Sequence, residues 1–149
     1  MDLLNEFQTL LPRAIEWAQE HSELIQQNGK PLTTEQIQIA NKVNVSKPEK
    51  VKLLEVAQIP IPPDKKLKEA AKLTGFLTEK MQGLTLGHSI YIVQGCYSIR
   101  LLSHELRHVY HYEVFGSIPE FLVEYLKQIV LVGYEHSVLE QDARKHEIE

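Results

Sequence analysis

The residues best suited to chemistry are the histidines and the glutamate in the run His-Glu-Leu-Arg-His, residues 104–108. If this run is helical, His104 and His108 lie one turn apart on one face, where two imidazoles can meet at a single zinc ion. Glu105 then lies beside that face, near an open coordination position. A carboxylate there can take a proton from a zinc-bound water and pass it to a leaving amine. The pattern predicts a zinc-dependent hydrolytic site with Glu105 as its base; the plainer interpretation is a charged helix face with two ordinary histidines.

A third protein ligand is needed, and His111 is one candidate because it shares the helix face of the first two histidines. Seven residues of helix span about 10.5 Å, however, so a zinc ion held between His104 and His108 is out of reach of His111. His111 is therefore expected to contact substrate or to pack. The favoured third ligand is Glu140, in the run Glu-Gln-Asp-Ala, where the small Ala143 allows two helices to approach closely.

Other roles for these C-terminal residues stay open. Ser137 and Glu140 also fit the S-x-x-E pattern, so Glu140 could instead be half of a helix capping box. Asp142 could be a ligand itself or could orient a ligand histidine. Glu135 and His136 are further competing ligands. Arg107 is expected at the surface or in a salt bridge, and the candidates for a donor to an oxyanion are Tyr110, His111, Tyr134 and His136.

Periodicity and capping signals predict the elements of the first half of the chain. Helical spacing indicates a helix over residues 3–28, which Pro12 must kink or divide, and a second helix over residues 34–43. The run Ser46 to Glu49 resembles a capping box and predicts a helix that continues to about residue 57. A connection rich in proline leads to a short helix that begins after Asp64 and ends at Gly75.

The second half of the chain must position the chemistry. Alternating apolar residues and three glycines over residues 83–95 predict a strand or a hairpin near Gly87. Helices are predicted over residues 99–115, from Ser117 to about residue 132, and from residue 138 to about residue 147. The expected fold is α+β and mostly helical, with a small sheet or hairpin before the helix that carries His104.

Composition sets the broad class of the protein. The chain has 149 residues, 43% hydrophobic and 24% charged, which is ordinary for one globular domain over residues 1–149. Residues 76–149 hold 6 Lys+Arg against 10 Asp+Glu and so carry the whole net charge of -4, whereas residues 1–75 balance at 10 of each. An acidic half suits a cation site. The single cysteine, Cys96, excludes an internal disulfide, and no signal peptide or spanning run is evident, so a cytoplasmic protein without a membrane partner is expected.

Several stretches of the second half resemble a known family. They are GLTLGHSIYI (83–92), LLSHELRHVYHYEVFGS (101–117), FLVEYLKQIVLVGY (121–134) and LEQDAR (139–144). They look like small bacterial zincin-like proteins related to the minimal gluzincins, the HExxH…Glu metallopeptidases. The resemblance implies a zincin-like core over residues 76–149, zinc as cofactor, a peptide or protein substrate, His104, His108 and Glu140 as ligands, and Glu105 as base. His111 stands where a polar amide is expected, and His88 stands where an aromatic residue is common, which makes His88 a further candidate cleft residue.

Residues 1–75 carry no motif and are expected to form a helical N-terminal part. Two other functions stay open: a zinc-binding domain without turnover, and a helical protein-interaction module. The lysines of residues 47–72 lack the arginine and aromatic residues of a base-reading surface, so they are expected to form a solvated face and no nucleic-acid partner is expected.

Overall fold

The structure is a computed structural model that describes residues 2–78 and 80–149. Over these residues the fold is α+β, with six α-helices and a four-stranded mixed sheet, as the sequence predicts for the fold class. The helices are α1 (Leu3–Asn28), α2 (Thr34–Lys42), α3 (Lys65–Thr74), α4 (Ile99–Phe115), α5 (Ile118–Val132) and α6 (Val138–Lys145). The strands are β1 (Lys30–Pro31), β2 (Lys52–Val56), β3 (Gly83–Leu86) and β4 (Ser89–Val93). Within residues 2–78 and 80–149, no helix is both long enough and apolar enough to span a bilayer.

The sheet has the strand order β1-β2-β4-β3, which places β3 at one edge. Strand β4 is parallel to β2, with Leu53 opposite Ile90, and antiparallel to β3, with Leu84 opposite Tyr91. Because side chains alternate along a strand, Ile90 and Ile92 point to one face of the sheet and Tyr91 points to the other. Each face therefore supports its own apolar cluster.

Helix α4 covers one face of the sheet and helix α1 covers the other. On the α4 side, Leu102 and Leu106 pack with Ile90 and with residues from α2 and the segment that follows it. On the α1 side, Ile25 packs with Tyr91, Leu84 and the apolar residues of α5. Residues of α1 and α5 share one cluster, so the first helix of the chain packs directly against the half that carries the HExxH run.

The helix predicted over residues 46–57 is wrong. Residues Pro48–Lys50 form a single 3-10 turn, and Lys52–Val56 is strand β2. The backbone N–H of Ser46 donates to Glu113 at 2.7 Å, so the predicted capping box does not form. Pairing with β4 on one side and β1 on the other outweighs the weak local helix signal. The N-terminal part is therefore not purely helical, and the predicted hairpin belongs to a larger sheet.

The remaining element predictions are close to the structure. Helix α1 runs through Pro12 without a break. Strands β3 and β4 form the predicted hairpin around Gly87, whose φ of 71° lies in the left-handed region that glycine adopts without strain. Helix α4 begins after Ser98, whose hydroxyl accepts from the Leu101 N–H, and ends at Gly116. Helices α5 and α6 start after Ser117 and Ser137, as their capping patterns predict.

Candidate metal centre

Helix α4 is buried on two sides, which explains why its polar residues lie in the interior. Leu102, Leu106 and Val109 face the sheet and are fully buried. His104 and His108 lie on another side of the helix, and they are 9% and 5% exposed. Burial of a polar group is costly unless it finds a partner, so these histidines require polar neighbours from another element.

Those neighbours come from α6, which packs against α4. The Glu140 carboxylate, 2% exposed, places Oε1 at 3.1 Å from His104 Nε2 and Oε2 at 2.8 Å from His108 Nε2. The Tyr125 hydroxyl, from α5, donates to Glu140 Oε2 at 2.6 Å. Two imidazole nitrogens one turn apart thus converge on one carboxylate, as the sequence predicts.

The alternative role of Glu140 as half of a capping box is only partly realised. Its backbone N–H does donate to the Ser137 hydroxyl at 3.1 Å, so Ser137 caps α6. The Glu140 side chain, however, turns to the histidines and does not return to the cap. The Ser137 N–H instead donates to the Tyr134 carbonyl. One residue therefore contributes its backbone to the cap and its carboxylate to the buried cluster.

The geometry of this cluster suits a metal ion. One ligand atom from each of His104, His108 and Glu140 lies within 4.8 Å of the others, and in the described ranges the group has these three members. In a tetrahedral zinc site with bonds of about 2.0–2.1 Å, ligand atoms lie roughly 3.3 Å apart. Small outward shifts of the present contacts would therefore admit zinc. The donor set of two imidazoles and one carboxylate also matches catalytic zinc sites.

Without a metal, the positive charge of the histidines and the negative charge of Glu140 stabilise each other inside the cluster. Burial opposes a positive charge on His104, but the hydrogen bond to Glu140 and the negative charges of Glu105 and Glu140 outweigh it and raise the pKa of His104 to about 9. Burial would also raise the pKa of Glu140. The charge on His108 and the hydrogen bonds from both histidines hold that pKa well below its usual range. A proton on the histidine pair therefore occupies the place that a cation would take.

A second carboxylate, that of Glu147, contacts the other ring nitrogen of His104. Glu147 Oε2 lies 2.8 Å from His104 Nδ1, while its other oxygen accepts from Arg100 at 2.8 Å. The segment after α6 is fixed here because the Ile148 N–H donates to the Ser103 hydroxyl at 2.8 Å. Ligand histidines commonly donate their second ring N–H to such a carboxylate, which fixes the ring orientation.

His108 is supported differently. His108 Nδ1 lies 3.3 Å from His111 Nδ1, and His111 Nε2 lies 2.6 Å from Asp142 Oδ2. Burial and the His108 charge lower the pKa of His111 to about 4, although Asp142 opposes this shift. Burial would raise the pKa of Asp142, but hydrogen bonds from Arg107 and His111 lower it to about 2. Arg107, which is predicted at the surface or in a salt bridge, forms a salt bridge with Asp142.

The Glu105 side chain, from α4, contacts the edge strand β3 beside the cluster. Thr85 Oγ1 lies 2.8 Å from Glu105 Oε1, and both residues are 5% exposed. A Cβ atom on Gly83 would come within 3.1 Å of Glu105 Cγ and 3.3 Å of Oε2. Gly83 therefore leaves the space that the Glu105 carboxylate fills.

Two concave regions meet at Glu105. An open cleft of about 820 Å³ is lined by His104, Glu105 and Gly83, and also by Tyr134 and His136. A narrower apolar cavity of about 120 Å³ lies between α1, α3 and α5. Its lining includes Glu105, His108 and Glu140, so it reaches the same cluster from the interior.

The structure separates the weaker sequence candidates. His111 contacts His108 and Asp142 and does not join the three-residue group, in agreement with its rejection as a ligand. His88 lies apart from the cluster, because its Nε2 bonds Glu113 Oε2 at 2.9 Å. Sequence reasoning missed three residues that contact the site: Thr85, Tyr125 and Glu147. For Thr85 a signal existed, since this polar residue lies between two leucines on β3, the first strand of the predicted hairpin.

Comparisons of this chain with known protein families, with curated proteins and with solved structures found no match.

Proposed function

We propose that this protein is a zinc-dependent hydrolase that cleaves peptide bonds, with His104, His108 and Glu140 as ligands and Glu105 as general base. The observation that carries the proposal is the convergence of both His Nε2 atoms on the buried Glu140 carboxylate. The resemblance of residues 83–144 to small zincin-like proteins favours the same reaction. Zinc, when bound, supplies a Lewis acid and lowers the pKa of its water to about 7.

Glu105 is suited to move a proton. Thr85 engages Oε1, which leaves Oε2 as the oxygen that takes a proton from the attacking water and passes it to the leaving amine. Tyr134 lines the cleft, and burial together with the charges of Glu140 and Glu105 raises its pKa. The Tyr134 hydroxyl therefore keeps its proton at neutral pH and is the favoured donor to the developing oxyanion.

The shape of the site favours a peptide as substrate. The cleft opens to solvent and, at about 820 Å³, has room for an extended chain, while the apolar cavity is close in size to engineered cavities of about 150 Å³ that bind benzene. A peptide in the cleft would place one large apolar side chain in this cavity, next to Glu105 and His108.

A zinc site without turnover is the competing function. Structural zinc sites are closed by four protein ligands, whereas catalytic sites have three and keep one position open. The cluster contributes three side chains over the described ranges, and a fourth side chain, that of Glu105, lies beside it without joining it. This arrangement favours catalysis.

The test combines metal analysis with peptide cleavage. Protein purified without added metal is expected to carry about one zinc ion per chain and to cleave some members of a mixed peptide library. Glu105→Gln is expected to retain the zinc and lose cleavage, because the amide cannot accept the proton. Glu69→Ala, at an exposed carboxylate on α3, is the matched control and should change neither. Parent protein that binds no zinc, or Glu105→Gln that cleaves as fast as the parent, would refute the proposal.

A further inference from the structure

A chain of hydrogen bonds connects His108 to the salt bridge between Arg107 and Asp142. His108 Nδ1 lies 3.3 Å from His111 Nδ1, and His111 Nε2 lies 2.6 Å from Asp142 Oδ2. The same Asp142 oxygen accepts from Arg107 Nε at 2.8 Å. Arg107 is itself fixed, because its NH1 donates to the Val43 carbonyl at 3.0 Å. The chain therefore has one rigid end and one end at a proposed ligand.

The proton positions along this chain follow from its donors and acceptors. An ionised carboxylate only accepts hydrogen bonds, so the short contact to Asp142 requires a proton on His111 Nε2. A neutral imidazole with its proton on Nε2 has a bare Nδ1, which accepts. The contact between the two Nδ1 atoms needs one proton, and His108 must then supply it.

In the metal-free protein His108 Nε2 also donates to the Glu140 carboxylate at 2.8 Å, but because His111 engages the Nδ1 proton, the Nε2 proton is the one that a zinc ion displaces. That nitrogen faces Glu140, where the ligand atoms converge. The opposite order, with a cationic His111 donating to His108 Nδ1, would put the His108 proton on Nε2 and block a metal ion there. Arg107 opposes that order because its guanidinium bonds the same Asp142 oxygen and disfavours a second positive charge nearby.

We propose that His111 and Asp142 are positioning residues that hold His108 as the Nδ1–H tautomer and so make its Nε2 a zinc ligand. The inference rests on the proposed zinc site. It adds an imidazole relay, in which His108 is oriented through the His111 imidazole and not by a carboxylate in direct contact with its Nδ1. His104 offers the contrast within one site, since Glu147 contacts its Nδ1 directly. The relay also gives a reason for a histidine at position 111, where an amide was expected.

The test compares two substitutions at His111. A glutamine can accept from His108 and donate to Asp142, whereas a methionine of similar size can do neither. His111→Met is expected to weaken zinc binding, measured by chelator competition on the full chain, by at least tenfold, as loss of such partners usually does. His111→Gln should stay within about threefold of the parent. His88→Met is the control, because His88 is also paired with a carboxylate but lies apart from the site.

A second readout separates positioning from general stability. The visible absorption of the cobalt-substituted protein reports ligand geometry, so its bands should shift in His111→Met and return in His111→Gln. Nitrogen NMR of the parent zinc protein needs no variant, and it should show a proton on Nδ1 of His108 and on Nε2 of His111. If the parent binds zinc, the inference is overturned when His111→Met binds zinc as tightly as the parent, or when His111→Met and His111→Gln lose zinc to the same extent. It is also overturned if NMR places the His111 proton on Nδ1. A parent that binds no zinc refutes the proposed function and the inference together.

Discussion

Glu140 Oε2 lies 2.8 Å from His108 Nε2, although Glu140 is on α6 and His108 is on α4, with the whole of α5 between them in the sequence. Both side chains are buried, and Tyr125 adds a hydrogen bond to the same oxygen. A buried carboxylate between two imidazoles is costly to assemble without a function, since apolar residues of similar size would stabilise a core as well. This cost favours the zinc site that we propose.

Glu140→Ala tests the role of this carboxylate. Removing it deletes a ligand and leaves two buried histidines without their partner, so zinc affinity is expected to fall by at least 100-fold. The metal-free protein should also lose about 3 kcal/mol of unfolding free energy, as when one member of a buried ion pair is removed. Chelator competition and urea unfolding measure the two effects. Zinc binding equal to that of the parent would show that Glu140 is not a ligand.

Zinc binding should release protons near neutral pH. The pKa of His104 in the metal-free protein is raised to about 9, so this imidazole is charged at pH 7.5 and must lose a proton before Nε2 can bind zinc. Calorimetry in buffers with different ionisation enthalpies counts the released protons. We expect about one more proton to be released at pH 7.5 than at pH 10. Equal release at both pH values would contradict the charged state of His104.

The stability of the metal-free protein should fall as the pH rises. The folded pKa of His104, about 9, exceeds the ordinary histidine pKa of 6.5. Its contribution is therefore complete below pH 6.5 and is lost as the pH rises through about 9, with an upper bound of about 3 kcal/mol. Glu140 acts in the opposite sense, because its lowered pKa gives stability that is lost in acid. Urea unfolding between pH 5 and about 10 should show this alkaline loss, and His104→Gln should remove it.

Gly83→Ala tests whether the absence of a side chain at Gly83 is needed to place the Glu105 carboxylate. The new methyl group would lie 3.1 Å from Glu105 Cγ, so the carboxylate must move. Peptide cleavage is expected to fall by at least tenfold, with the zinc content unchanged. Gly95→Ala is the control for a glycine substitution as such, since its new methyl group meets nothing within 4 Å, although Gly95, unlike Gly83, has a positive φ. If both variants cleave equally well, Gly83 has no role in placing Glu105.

The apolar cavity predicts a preference among substrates. Peptides with leucine or phenylalanine beside the scissile bond should be cleaved faster than those with alanine, by about fourfold for each buried methylene group. Ala18→Leu fills part of the cavity from α1 and should shift the preference toward smaller side chains. Cleavage products of a mixed peptide library, read by mass spectrometry, report both effects. An unchanged preference in Ala18→Leu would mean that substrate does not enter this cavity.

The sequence predicts which three side chains converge, but it predicts only part of the fold around them. The HExxH spacing, the Ser98 cap and the Gly116 stop are local signals, and the helix they define agrees with α4. Glu140 was predicted from a short run and a resemblance, and the structure brings it to both histidines. By contrast, strand β2 depends on pairing with β4 far along the chain, so its local pattern alone predicts a helix.

Partners that come from distant segments gave no usable local signal. Glu147 follows the last helix, and only the packing of α6 on α4 brings it to His104. Asp142 was expected either as a ligand or as an orienter of a ligand histidine, and the relay through His111 could not be read from spacing. The apolar cavity is likewise invisible in the sequence, because α1, α3, β3 and α5 each contribute part of its wall.

The zinc site is tested most directly by X-ray absorption at the zinc edge, measured on the full chain and on Glu140→Ala. We predict about one zinc ion per chain, with two imidazole nitrogens and carboxylate or water oxygen at about 2.0–2.2 Å, and weak or altered loading in the variant. A parent protein without zinc, or a zinc ion without two imidazoles in its first coordination sphere, would contradict it.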